Sequence, residues 1–280
     1  MPHDPDAFLG ARALPPPAFL ETSRAVAEVS LIRRYSNEED GALPSMRRPF
    51  LEVAASFPIT VSASGVDSRG IAIDPTPRLS CKARVAALGQ SMTVEQRDRQ
   101  ITACARKPAR VFIANRSPAA LLIGEVGATE GADGAYDPDR LTIHTSVPLS
   151  AGPSRVYLAP IVDHAGAYAL RVFVLSFDSA TLHVYDPDAV GSLPDVIRVA
   201  PGPSAMAFDP FPFEDVGKHA QVPFDDRDGA LGLRRYRFAY LASFTQSCVQ
   251  VIDLDNAVPN PATYQKIVYT LGRPATPKGS

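Results

Sequence analysis

The residues able to do chemistry are few and scattered. Asp225, Asp226 and Asp228, followed by Gly229, offer alternating carboxylates and a bend of the kind that wraps a hard cation such as calcium, but no glutamate follows at the distance a bidentate ligand would need. The competing reading is a solvated acidic turn. His144, His164, His183 and His219 fall one to an element, without the His-x-x-x-His or Glu-His spacing of zinc enzymes. Asp163 beside His164 could orient a nucleophile, yet no Gly-x-Ser-x-Gly elbow accompanies the pair, so a turn is the better reading. No cofactor motif is present and none is expected.

Three cysteines, Cys81, Cys104 and Cys248, lack metal or haem spacing. Cys81 and Cys104 could close a disulfide in an oxidising compartment; the alternative is two reduced small hydrophobes. The 28 basic and 30 acidic residues leave a net charge of -2 with no long single-sign block, which argues against nucleic acid as a partner. No segment approaches the roughly 20 apolar residues that span a bilayer, and the first residues lack the basic and apolar regions of an export signal.

With 45% hydrophobic residues the chain has the composition of an ordinary folded domain. Its 27 prolines are spread between apolar runs, which predicts many short elements joined by turns. A repeat organises those runs. RVFIANRSPAALLIGE from Arg110 aligns without a gap to RVFVLSFDSATLHVYD from Arg171. A third copy, FAYLASFTQSCVQVIDLD from Phe238, repeats Ser176, Phe177, Val184, Asp186 and Asp188 as Ser243, Phe244, Val251, Asp253 and Asp255. Each copy is an apolar run, a polar break and an alternating run, which is the pattern of a hairpin.

Gly-containing turns follow a second rhythm at GVDSRGIAIDP (from Gly65), GPSRVYLAP (Gly152), GPSAMAFDP (Gly202) and GRPATP (Gly272). After each of the first three comes a short strand: Ile71 to Ile73, Val156 to Ala159, Met206 to Phe208. Outer strands are read at Leu141 to Val147, Asp195 to Ala200 and Gln265 to Leu271. Four antiparallel strands repeated in this way predict an all-β, β-propeller-like fold, because each unit can bury its faces only against the next.

The hairpin RVFVLSFDSATLHVYD and the following DVIRVAPGPSAMAFDP resemble the YVTN-repeat β-propellers over roughly Arg47 to Pro274. The family's Asn is kept as Asn115 and replaced by Ser176 and Ser243. The resemblance implies a binding or scaffold module, exported or at the cell surface, and says little about the ligand.

The expected organisation is an N-terminal, partly irregular, Pro-containing segment (1–48), a propeller region (49–274) and a tail (275–280). The propeller region carries insertions at 76–107 and 211–235. About three complete blades are expected, plus a partial one in which Ala25 to Ile32 and the run Phe50 to Val61 are the last two strands; its two inner strands are unaccounted for. Such an arc is the mark of an incomplete or truncated propeller whose uncapped faces could self-associate.

One face of the arc would gather the Gly turns and the hairpin turns, and with them Arg69, Arg155, Arg273, Asn115, Arg116, Asp178 and Gln246. Arginines there could take a carboxylate or phosphate, or simply answer neighbouring acids. The leading functional expectation is a non-enzymatic module for a protein, peptide or glycan. The alternatives are a lactonase-type or metal-dependent propeller enzyme with an axial site, and an inactive gene fragment.

Overall fold

A computed structural model describes residues 18–23, 26, 28–35, 50–59, 67–88, 91–127, 140–163, 168–189, 191–210, 238–256 and 262–272. Fifteen strands in these segments form four antiparallel sheets, each a meander in chain order. The first holds β1 (Ala18–Thr22), β2 (Glu28–Tyr35) and β3 (Phe50–Pro58). The second holds β4 (Ser68–Asp74), β5 (Ala109–Asn115), β6 (Ala120–Val126) and β7 (Leu141–Pro148). The third holds β8 (Pro153–Val162), β9 (Tyr168–Ser176), β10 (Thr181–Tyr185) and β11 (Asp195–Arg198). The fourth holds β12 (Pro203–Phe208), β13 (Phe238–Ser243), β14 (Cys248–Asp253) and β15 (Ile267–Leu271).

The middle strands are apolar at nearly every position because both faces are covered. In β5, Val111 and Ile113 join the core shared with Val29 and Leu31 of the first sheet. Their neighbours Phe112 and Ala114 point the other way, into a core shared with Val172 and Val174 of the third sheet. The same alternation sends Phe173 and Leu175 toward Ala239 and Leu241 of the fourth. Outer strands are wetter: β7 buries Leu141 and Val147 and exposes most of the residues between them.

The first strands of the second and third sheets come together backbone to backbone. A Cβ built on Gly70 would lie 3.2 Å from the Val156 nitrogen and 3.3 Å from Arg155 Cα, so the small residue here is a condition of that approach.

Two expectations change. Residues 18–35, expected to belong to a partly irregular segment, contain β1 and β2, and β1 is one of the two strands left unaccounted for in the partial unit. Leu20 of β1 and Val29 and Leu31 of β2 pack onto the second sheet, and this long-range burial organises a stretch whose local periodicity is ambiguous. Insertion 76–107 is a pair of helices, α1 (Thr76–Leu88) and α2 (Val94–Ala105). Thr93 Oγ1 accepts from Gln96 N–H while Gln96 Oε1 accepts from Thr93 N–H, a reciprocal cap that starts α2. Cys81 and Cys104 join the helices in a disulfide with Cα atoms 5.4 Å apart, and Cys248 is a buried free thiol. Insertion 211–235 and the tail 275–280 lie outside the described residues. No helix among the described residues is long and apolar enough to cross a membrane.

Candidate functional site

The turns β5–β6, β9–β10 and β13–β14 and the connections into β8 and β12 lie at one end of the sheets, and a repeated set of bonds holds them there. The residue after each second strand donates its N–H to the preceding connection: Arg116 to Asp67 O (2.9 Å), Phe177 to Gly152 O (2.8 Å) and Phe244 to Gly202 O (2.9 Å). The buried polar residue just before it adds a side-chain tie. Asn115 Nδ2 donates to Pro118 O (2.8 Å) while its Oδ1 accepts from Ser68 Oγ (3.3 Å). Ser176 Oγ donates to Ser150 O (3.3 Å), and Ser243 Oγ to Pro201 O (2.5 Å). Asn115, Ser176 and Ser243 therefore act as turn anchors, each at most 4% exposed.

Glycine is required in these connections for two reasons. Gly152 and Gly202 have φ of +78° and +70°, and a Cβ on either would strike the side chain of Asp178 or Thr245, at 2.4 and 2.6 Å. Asp178 and Thr245 occupy equivalent places in their turns, so each hairpin lays a side chain over the glycine of its own sheet.

The charged residues expected on this face answer one another. Arg116 bonds Asp178 across the second and third sheets at 2.6 Å. Arg69 is held by Asp67, with Nη2 to Oδ2 at 2.6 Å. The Asp67 bond raises the Arg69 pKa against the opposing cost of burial, and the field of Asp178 adds to the rise. Arg155 is exposed on β8, and Gln246 turns its N–H inward to Ser243 Oγ (3.2 Å). Among the described residues neither is hydrogen-bonded to the Arg116–Asp178 pair. Arg273 lies outside the described residues, as do His164, His219 and the acidic turn Asp225, Asp226 and Asp228.

Two residues absent from the expected set stand out. Phe177 and Phe244 occupy the same place in adjacent turns, directly after the anchoring serine, and are 39% and 77% exposed. Their signal was in the repeat itself: an identical aromatic at a turn position, where polar residues are the norm.

His183 lies on β10 with its side chain on the same face as Tyr185, between the second and third sheets, and is 2% exposed. Its Nε2 accepts from Ser150 N–H at 3.2 Å. Gln250, the equivalent residue of the fourth sheet, accepts from Ala200 N–H at 2.7 Å, so the two do the same structural work. Burial lowers the His183 pKa from 6.5 to about 4, which keeps the imidazole neutral and able to accept. Below pH 6.5 the unfolded chain takes up a proton that the native chain refuses, so stability falls until the native group itself titrates near pH 4. The full loss is about 3 kcal/mol. His183→Gln, which copies the fourth sheet, is expected to flatten the fall in urea midpoint over this interval; an unchanged pH profile would remove His183 as its source.

The opposite end is ionic. Arg110 bonds Asp74 (2.7 Å) and Asp188 (2.6 Å), and Arg171 bonds Asp186 (2.8 Å). The repeated Asp-x-Asp is an Asx turn: Asp188 N–H donates to Asp186 Oδ1 and Asp255 N–H to Asp253 Oδ1, at 2.9 and 3.0 Å. Among the described residues no group of three or more His, Cys, Asp or Glu side chains is placed to hold a metal. His144 is exposed on β7 beside Thr145. No family model matches the chain, and no curated protein is significantly similar to it.

Proposed function

We propose that the chain is a β-propeller arc related to the YVTN-repeat proteins and acts as a non-enzymatic binding module whose turn end meets a protein, peptide or glycan. The propeller reading is supported by the order of packing, each sheet on the next, and by the close approach of first strands at Gly70 while outer strands face water. The observation that carries the binding reading is the pair Phe177 and Phe244, exposed on turns tied by backbone and side-chain bonds. Rigid aromatic tips lose little entropy on binding and offer a stacking face to apolar side chains or sugar rings. The Arg116–Asp178 pair beside Phe177 adds hydrogen-bonding groups to that surface. The Cys81–Cys104 disulfide supports an extracytoplasmic setting, where such bonds persist.

The test is retention of immobilised glycan and peptide panels by the wild-type chain and by the doubly substituted Phe177→Ser, Phe244→Ser chain. Loss of the two aromatics is expected to weaken any retained probe tenfold or more while the melting temperature holds. A probe kept equally well by both proteins would move the ligand surface away from this end.

A further inference from the structure

Among the described residues the second and third sheets are covered on both faces and the fourth on one. Its free face consists of positions that the repeat buries elsewhere. Tyr240, Val249 and Val251 stand where the third sheet has Phe173, Leu182 and Val184, the residues through which that sheet is covered by the fourth. The second sheet has Phe112, Leu121 and Ile123 there, covered in turn by the third. The register of β15 adds Tyr269 opposite Val251 and Leu271 opposite Val249, 61% and 49% exposed. A sheet meant to face water on one side alternates apolar with polar residues, and this one does not.

The first sheet has the reciprocal feature. Val29 and Leu31 look toward the second sheet, so Ile32 and its cross-strand partners Phe19 and Val53 look away, with Leu51 two residues along β3. Phe19, Val53 and Leu51 are 45%, 60% and 61% exposed. Among the described residues the buried cores join first to second, second to third and third to fourth sheet, and none of them takes in these two end faces.

We infer that the occupant of both faces is a second copy of this chain, packed head to tail, with the fourth sheet of each copy covering the first sheet of the other. Every internal junction sets this kind of leading face against the trailing face of the following sheet, and the described residues leave one of each exposed. A second copy therefore supplies the missing partner twice, by one two-fold axis. Closure at eight sheets rests on the propeller reading above and falls within the range of about 4 to 8 blades that propellers use. The junction itself rests only on the stacking of sheets.

Light scattering on the full chain at micromolar concentration is expected to give twice the chain mass. Tyr269→Glu, which spoils the fourth-sheet face, and Val53→Glu, which spoils the first, change exposed side chains and are each expected to give a folded monomer with an unchanged β circular-dichroism spectrum. Mixing the two variants is expected to restore a dimer, because one intact face of each kind remains. A monomeric wild type overturns the junction, and so does a mixture that stays monomeric; a dimer broken by only one of the two substitutions also overturns it, because like faces would then be pairing. Electron micrographs of the dimer separate the two ideas: a ring with a central opening supports both, whereas a dimer without one overturns closure and the propeller reading while leaving the junction to the mixing result.

Discussion

Replacing Phe173 by alanine is expected to lower the unfolding free energy by about 3–5 kcal/mol, the range for emptying a buried aromatic site. Phe173 is fully buried on β9, and its ring centroid lies 5.0 Å from that of Phe208 on β12, so it spans the junction of the third and fourth sheets. Neither neighbour can collapse into the vacated space without moving a strand that is hydrogen-bonded on its own sheet, and the cavity cost therefore adds to the lost transfer free energy. Phe177, in the turn that ends the same strand, is the internal control. Alanine there is expected to change stability by no more than about 0.5 kcal/mol, because the ring is already partly in water. Urea midpoints at constant slope provide the comparison. If the two substitutions cost the same, the core between the third and fourth sheets is not what stabilises the stack.

The second large effect is expected at Asp74, whose carboxylate is fully buried at the end of β4. One oxygen accepts from the Thr76 N–H (2.9 Å) and hydroxyl (2.5 Å) at the start of α1; the other accepts from Arg110 Nε and Nη2 at 2.9 and 2.7 Å. Burial works against the Arg110 charge, and bonds to Asp188 and Asp74 more than offset it, so its pKa is raised. Asp74→Ala removes an anion from beside a half-buried guanidinium and orphans the first turn of α1. The expected cost is about 3 kcal/mol, toward the lower end of the range for breaking a buried pair because Asp188 remains to Arg110. Asp188→Ala, at a site 68% exposed, is expected to cost less than about 1 kcal/mol. Equal losses at the two aspartates, read from thermal or urea unfolding, would mean that Arg110 is solvated well enough to need neither.

Much of this architecture was legible before any coordinates. Strands at 110–125, 171–186 and 238–255 follow from alternation and β-branched residues, and the repeat supplies their order; the observed register, Val174 opposite His183 and Leu241 opposite Gln250, lies within those hairpins. The Gly152 and Gly202 turns were legible because a positive φ selects glycine locally. The helices of 76–107 had a local signal too, the Thr93 to Gln96 capping box, which an all-β expectation passed over.

What the sequence by itself determined is the set of features written in short-range chemistry: hairpins, glycine turns, and the absence of a local metal or nucleophile motif. The tertiary structure alone decided which neighbours those features meet. Asn115 read as a candidate contact and, like the repeat-equivalent Ser176 and Ser243, became an anchor because connections distant in sequence fold back over it; Arg116 and Asp178 became partners across two sheets; His183 became a neutral acceptor. β1 found its place only through burial against the second sheet. Phe177 and Phe244 were marked in the repeat as an identical aromatic at a turn, and their exposure made them a surface feature. Burial and cross-sheet pairing depend on contacts between segments far apart along the chain, and no local pattern encodes which of two chemically similar side chains will be covered and which will face water.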